Sequence, residues 1–167
     1  MTVALSADAE PAMRSWLRAV VAAADELCAT IGYDAVDVVG AVDDANAENG
    51  ASLSGAYIAL VGDNLNLQVG LTSSAGGCQT LAKALLGMEP DDDDLPESDV
   101  ADAVGEIVNM IGGGAKRIMS EGDSSLKLGL PLFINGRILE TDHLEAAASA
   151  VRIGTTDARL LVLRHRV

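Results

Sequence analysis

Apolar residues recur at helical spacing in three stretches of this chain, and at every second position through much of the remainder. Met13, Trp16, Leu17, Val20, Ala24, Leu27, Cys28 and Ile31 fall every three or four residues, which predicts an amphipathic helix from 11 to about 31. Pro11 suits its first turn, where a missing N–H leaves no bond unmade, and Gly32 suits its end. From Ala35 the period changes to two. Val36, Val38 and Val42 predict a first strand, followed by an acidic turn region over 43–50. Further strands are predicted over 56–61 and 65–71, joined by the hairpin signal Gly62-Asp63-Asn64. In the second of them Leu65, Leu67, Val69 and Leu71 alternate with Asn64, Asn66, Gln68 and Gly70, the pattern of a half-buried antiparallel strand.

Ser73 or Ser74 caps a second helix over 75–86, which Gly87 ends. A third helix takes Ser98 or Asp99 as its N-cap and runs to about Ser120. At about 100° per residue, Val100, Val104, Ile107, Ile111 and Ile118 form its buried stripe, with Val108 and Ala115 at the edge. Asp102, Glu106, Asn109 and Gly113 fall on the opposite side. A carboxylate and a carboxamide one turn apart therefore face outward, where they can position a water and grip a partner. Beyond this helix 126–134 reads as strand, but Pro131 interrupts it and predicts an edge, a bulge or a junction. Asn135-Gly136 signals a tight turn into 137–139, and closing strands are predicted over 147–153 and 159–166, joined by 154–158. With no internal repeat and no linker, the expectation is a single α+β domain over 11–167, an antiparallel sheet packed against two or three helices, behind a frayed start at 1–10.

Composition narrows the function classes. One Trp, one Phe and two Tyr make the core aliphatic and leave few platforms for stacking bases or sugars. Eleven Lys and Arg against twenty-five Asp and Glu give a formal charge of −14, which disfavours nucleic acid and anionic membrane as partners. No signal-peptide pattern and no apolar run of the roughly twenty residues needed to span a bilayer is present, so a cytoplasmic protein is expected. Cys28 and Cys78 lie far apart on predicted apolar faces and read as buried small hydrophobes rather than a metal or disulfide pair. The run Asp91–Asp94 lacks the spaced ligands of a calcium loop and reads as a solvated connection.

Familiar catalytic sets are missing. His143 and His165 have no nucleophile in an elbow context beside them, and no His-Glu-x-x-His, Cys-x-x-Cys or phosphate loop occurs. Gly76-Gly77 at a helix start could cradle an anion, yet no Lys accompanies it in a phosphate-loop pattern, and a helix start without ligand is the simpler reading. Glu106 and Asn109 remain. By itself Glu-x-x-Asn on a solvated helix face arises often by chance. Gly112, Gly113 and Gly114 add weight, since each costs up to ~1 kcal/mol in a helix relative to Ala. That cost implies either close packing against the backbone or a break in the helix. Gly105 and Gly113 would also leave the pair open to another protein's surface.

Asp102-x-x-x-Glu106-x-x-Asn109, then Met-Ile-Gly-Gly-Gly-Ala-Lys and later Leu128-Gly-Leu-Pro131-Leu, resembles the CheC/CheX/FliY family of chemotaxis phosphatases. With one such helix and no matching motif on the first helix, the chain is most similar to the CheX branch, and the resemblance spans nearly its whole length. It implies a protein aspartyl-phosphate phosphatase whose substrate is a phosphorylated CheY-like receiver domain. It also implies that Glu106 and Asn109 are catalytic, with Asp102, Gly113 and Pro131 in supporting or docking roles. No cofactor or metal of its own is implied, since Mg²⁺ would be held by the receiver. A homodimer is implied as well. The alternatives are a CheX-like binding or scaffolding module without activity, a flagellar-switch component, and a small-molecule sensor using Gly76-Gly77.

Overall fold

A computed structural model describes residues 11–41, 53–121, 123–136 and 141–165. Among these residues three helices, α1 (Pro11–Thr30), α2 (Ala75–Leu85) and α3 (Glu97–Met119), cover one face of an antiparallel seven-stranded sheet. Its strands are β1 (Val36–Ala41), β2 (Ser54–Val61), β3 (Asn66–Ser73), β4 (Lys127–Leu128), β5 (Leu132–Asn135), β6 (Leu144–Ile153) and β7 (Thr156–His165). They run in the order β1-β6-β7-β3-β2-β4, and β5 continues the β4 edge along β2. This is the α+β domain the pattern predicts. Val42, the acidic region 43–50, the start 1–10 and the segment 137–139 lie outside the described residues.

Apolar alternation places Ala56, Ile58 and Leu60 of β2, Leu67, Val69 and Leu71 of β3, and Leu160 and Val162 of β7 against the helices. Met13, Trp16, Val20, Ala24, Leu27 and Cys28 of α1 meet them, with Cys78 of α2 and Val104, Ile107 and Ile111 of α3. The hairpin at Gly62-Asp63-Asn64 closes as predicted, Val61 pairing with Asn66 and the Gly62 N–H donating to Leu65 O at 2.8 Å.

Four local expectations change. β3 is buried on both faces in its second half, not half-buried. Gly70 lies under the Tyr57 ring, and Tyr57, Ala148, Leu161 and Leu163 form a smaller cluster on the second face of the sheet. Neither Ser98 nor Asp99 caps α3: Pro96 holds the cap position, and its carbonyl accepts from the N–H groups of Asp99 and Val100. Ile118 is 41% exposed, because the last turn of α3 leans on α1 through Gly114 and Arg117 and Met119 takes the inner position. The closing strands begin three residues earlier than predicted, and position 166 lies outside the described residues. Ile153 pairs with Thr156 across a two-residue turn in which Gly154 takes φ +59 beside the Tyr33 ring.

Candidate functional site

α3 is held from three sides, and this fixes what it can present. Gly112 is buried where a Cβ would lie 3.0 Å from Ile58 Cγ2 of β2, and Gly114 faces Ala23 of α1. Arg117 pairs with Glu26 of α1, and the Asn135 amide donates to Glu97 at 2.6 Å, tying β5 to the start of α3. The glycine run therefore marks close packing, and the helix does not break there. Asp102 and Glu106 remain exposed, and Asn109 and Gly113 half-buried, on the side left free. Asn109 Nδ2 donates to Glu106 Oε2 at 3.4 Å, so the acid and the amide meet without help from other side chains. Gly105 differs from expectation: it is buried under Pro131, whose Cβ and Cγ lie 3.5 Å from where a Gly105 Cβ would sit. The opening beside the pair is bounded by Pro131, not widened by Gly105.

Pro131 reaches α3 through an irregularity in the sheet. Leu60 pairs with Leu128, the Gly129 N–H donates to Ala59 O at 2.8 Å, and pairing resumes with Tyr57 opposite Leu132. Leu130 and Pro131 thus stand opposite Ile58 alone. Two residues against one is a β-bulge, a device that re-aims side chains at sheet edges. Pro131 turns onto Gly105, while Leu130 is left 87% exposed. Sequence alone assigns Leu130 no role beyond its place in the Leu128-Gly-Leu-Pro131-Leu stretch, and its local signal is the proline that breaks the alternation.

Other candidates fall away from this face. The Ser74 hydroxyl accepts from the Gly77 N–H at 3.0 Å and caps α2. A Cβ on Gly77 would meet Ser73 Oγ at 2.0 Å, so that glycine is required by packing. Cys28 and Cys78 are buried, and burial pushes both thiols up to about 11. Asp94 pairs with Lys83, and the Asp92 carboxylate accepts from the Glu89 N–H. The rings of His143 and His165 lie parallel, their centres 6.1 Å apart. Among the described residues no group of three or more His, Cys, Asp or Glu converges to hold a metal, and no helix is long and apolar enough to cross a membrane.

The profile of the chemotaxis phosphatase CheX matches residues 54–153, more than half of the chain, and the chain belongs to the CheX family. No curated protein sequence matches it. Among solved structures, the chemotaxis protein CheX from Vibrio vulnificus is similar with a TM-score of 0.69 at 21% identity, over 88% of this chain and 97% of that one. The CheX–CheY–BeF3–Mg²⁺ complex from Borrelia burgdorferi is similar with a TM-score of 0.66 at 14% identity, over 92% and 97%. FliY from Thermotoga maritima is similar with a TM-score of 0.69 at 14% identity, over 94% and 90%. At these identities the likeness is one of fold.

Proposed function

We propose that this protein dephosphorylates the aspartyl phosphate of a CheY-like receiver domain, with Glu106 and Asn109 as its catalytic residues. One observation carries the reading: in a chain of the chemotaxis phosphatase CheX family, an acid and an amide in contact stand on the free side of a helix braced from three sides. A rigid mount matters here, because this chemistry is mostly positioning and charge stabilisation. In the reaction the bond from phosphorus to the receiver's aspartate oxygen breaks, and a bond from phosphorus to water oxygen forms. Inorganic phosphate leaves, and the water's proton ends on the products. The receiver supplies the phosphoryl group, its Mg²⁺ and a lysine. Asn109 inserts beside the phosphoryl group, and its carboxamide holds the water in line. Glu106 pairs with the receiver's lysine in a charge-assisted bond and sets the docking register. Before docking, the Asn109 amide rests on Glu106, which limits how far the carboxamide must move. Asp102 lies one turn before Glu106 and adds negative charge to the same face.

The test is the decay of phosphorylated receiver domains from the source organism, with and without this protein. Asn109→Ala is expected to fold and bind as wild type while the accelerated rate falls by about 100-fold or more, the scale of losing a positioned reactant. Glu106→Ala is expected to weaken capture as well as turnover. Wild-type turnover in Asn109→Ala would sink the mechanism. No acceleration of any receiver by the wild type would instead favour a binding module of the same fold.

A further inference from the structure

We propose that Leu130 is an apolar anchor for the partner, covered by the receiver domain when Asn109 is inserted, and that the bulge at Leu130-Pro131 exists to present it. This rests on the receiver-phosphatase reading above. The placement follows from two contacts. Leu128 lies against Gly112 and Gly113, and Pro131 against Gly105, so the segment between them runs alongside the intervening turns of α3. Three extended residues span about 10 Å and seven to eight helical residues about 11 Å, so the two paths match without slack. Asn109 falls in the middle of that stretch, within about 40° of both Gly105 and Gly113 around the helix axis. The carboxamide thus stands on the side of α3 along which Gly129 and Leu130 pass. A partner that encloses Asn109 meets Leu130 next.

Leu130 itself has no internal role. It is 87% exposed, the most exposed of the large apolar side chains in the described residues, and Met110 is exposed one residue beyond Asn109. The proline that follows restricts Leu130 to extended backbone. Pro131 is pinned in turn on Gly105. The side chain is therefore held out on a stiff mount, which lowers the entropy lost when a partner covers it. Leu132 and Ile134 are also exposed, but Phe133 between them packs into the core with the helices, so they face the other side of the sheet. The occupant is the same receiver that brings the phosphoryl group, because Leu130 sits on the segment that Leu128 and Pro131 pin to the side of α3 bearing Asn109.

The experiment is steady-state dephosphorylation of the cognate receiver by the full chain. Leu130→Ser is expected to raise KM by about tenfold or more, the scale of losing one buried leucine side chain, with kcat within twofold. Its thermal midpoint should equal the wild type's, and Leu130→Met should restore KM. Leu132→Ser is the control and should change neither parameter. An unchanged KM in Leu130→Ser, or an equal rise in Leu132→Ser, overturns the anchor while leaving the phosphatase reading intact. Absence of wild-type activity toward every receiver overturns both.

Discussion

Gly112, Gly113 and Gly114 follow one another in α3, yet each meets a different neighbour. A Cβ on Gly112 would lie 3.0 Å from Ile58 and 3.1 Å from Leu128, one on Gly113 3.7 Å from Leu128, and one on Gly114 2.8 Å from the Ala23 Cβ. Alanine should therefore act with opposite sign at adjacent positions. Gly113→Ala finds ordinary contact distance and gains helix propensity, so stability should rise by up to ~1 kcal/mol. Gly114→Ala gains the same propensity but drives a methyl into Ala23, which has no flexible end to yield. Overpacking of ~1–3 kcal/mol outweighs the gain, for a net loss of about 1 kcal/mol. Urea midpoints of the two variants check this, and a loss in Gly113→Ala would mean that Leu128 of β4 leaves no room for the methyl. At this scale the sequence could show only that three glycines need a reason. Their reasons, Ala23, Ile58 and Leu128, lie elsewhere in the chain, and no helical spacing points to them.

Between elements, the connection from α2 to α3 is held by two side chains of α2. Gln79 donates to Leu95 O at 2.8 Å and accepts from the Leu95 N–H at 3.0 Å. Lys83 is buried, and its ammonium donates to Pro90 O at 3.4 Å and Asp92 O at 2.7 Å and pairs with Asp94 at 3.0 Å. These bonds deliver the chain to Pro96 and thereby set where α3 begins. The two ends of the ion pair should contribute unequally. Lys83→Met keeps the stem and loses every bond of the ammonium, costing about 1–3 kcal/mol. Asp94 is 80% exposed, and Asp94→Asn should cost less than ~1 kcal/mol. Equal losses in the two variants would show that the carboxylate, not the carbonyls, is what Lys83 holds. The sequence marked Asp91–Asp94 as a solvated loop and passed over the lysine, because nothing in a local pattern tells a buried cation from an exposed one. The helices and hairpin were legible for the converse reason: their signals, apolar period and turn residues, are local. So was the exposed face of α3, since the stripe that buries one side defines the other. The bulge was legible only as an interruption at Pro131. Which residue it would turn outward depends on register with β2.

At the scale of the molecule the described residues share one principal core, and the two thiols report on that core from different elements. Cys28 of α1 and Cys78 of α2 lie in the same cluster of buried residues, which also takes in α3 and the inner face of the sheet. If that cluster opens as a unit, each thiol becomes reactive only when the chain unfolds. The opening free energy from thiol labelling should then match the urea value in Cys28→Ala and in Cys78→Ala alike. A lower value for one thiol would mark its helix as opening alone. Titration gives a second handle. Burial raises both thiols from 9.0 to about 11, with Asp25 adding to the effect at Cys28. Below pH 9 both states hold these protons and the thiols' contribution to stability is fully present. Between pH 9 and about 11 the unfolded chain releases them while the folded protein does not, so stability falls as pH rises through that window. Tyr57, raised by burial from 10.0 to about 12, acts in the same direction at the upper end. The variant carrying both Cys28→Ala and Cys78→Ala retains Tyr57, so its urea midpoint should decline less steeply over this range than the wild type's. Parallel declines would mean that the thiols ionise as readily in the folded core as outside it, and that the core around them admits water.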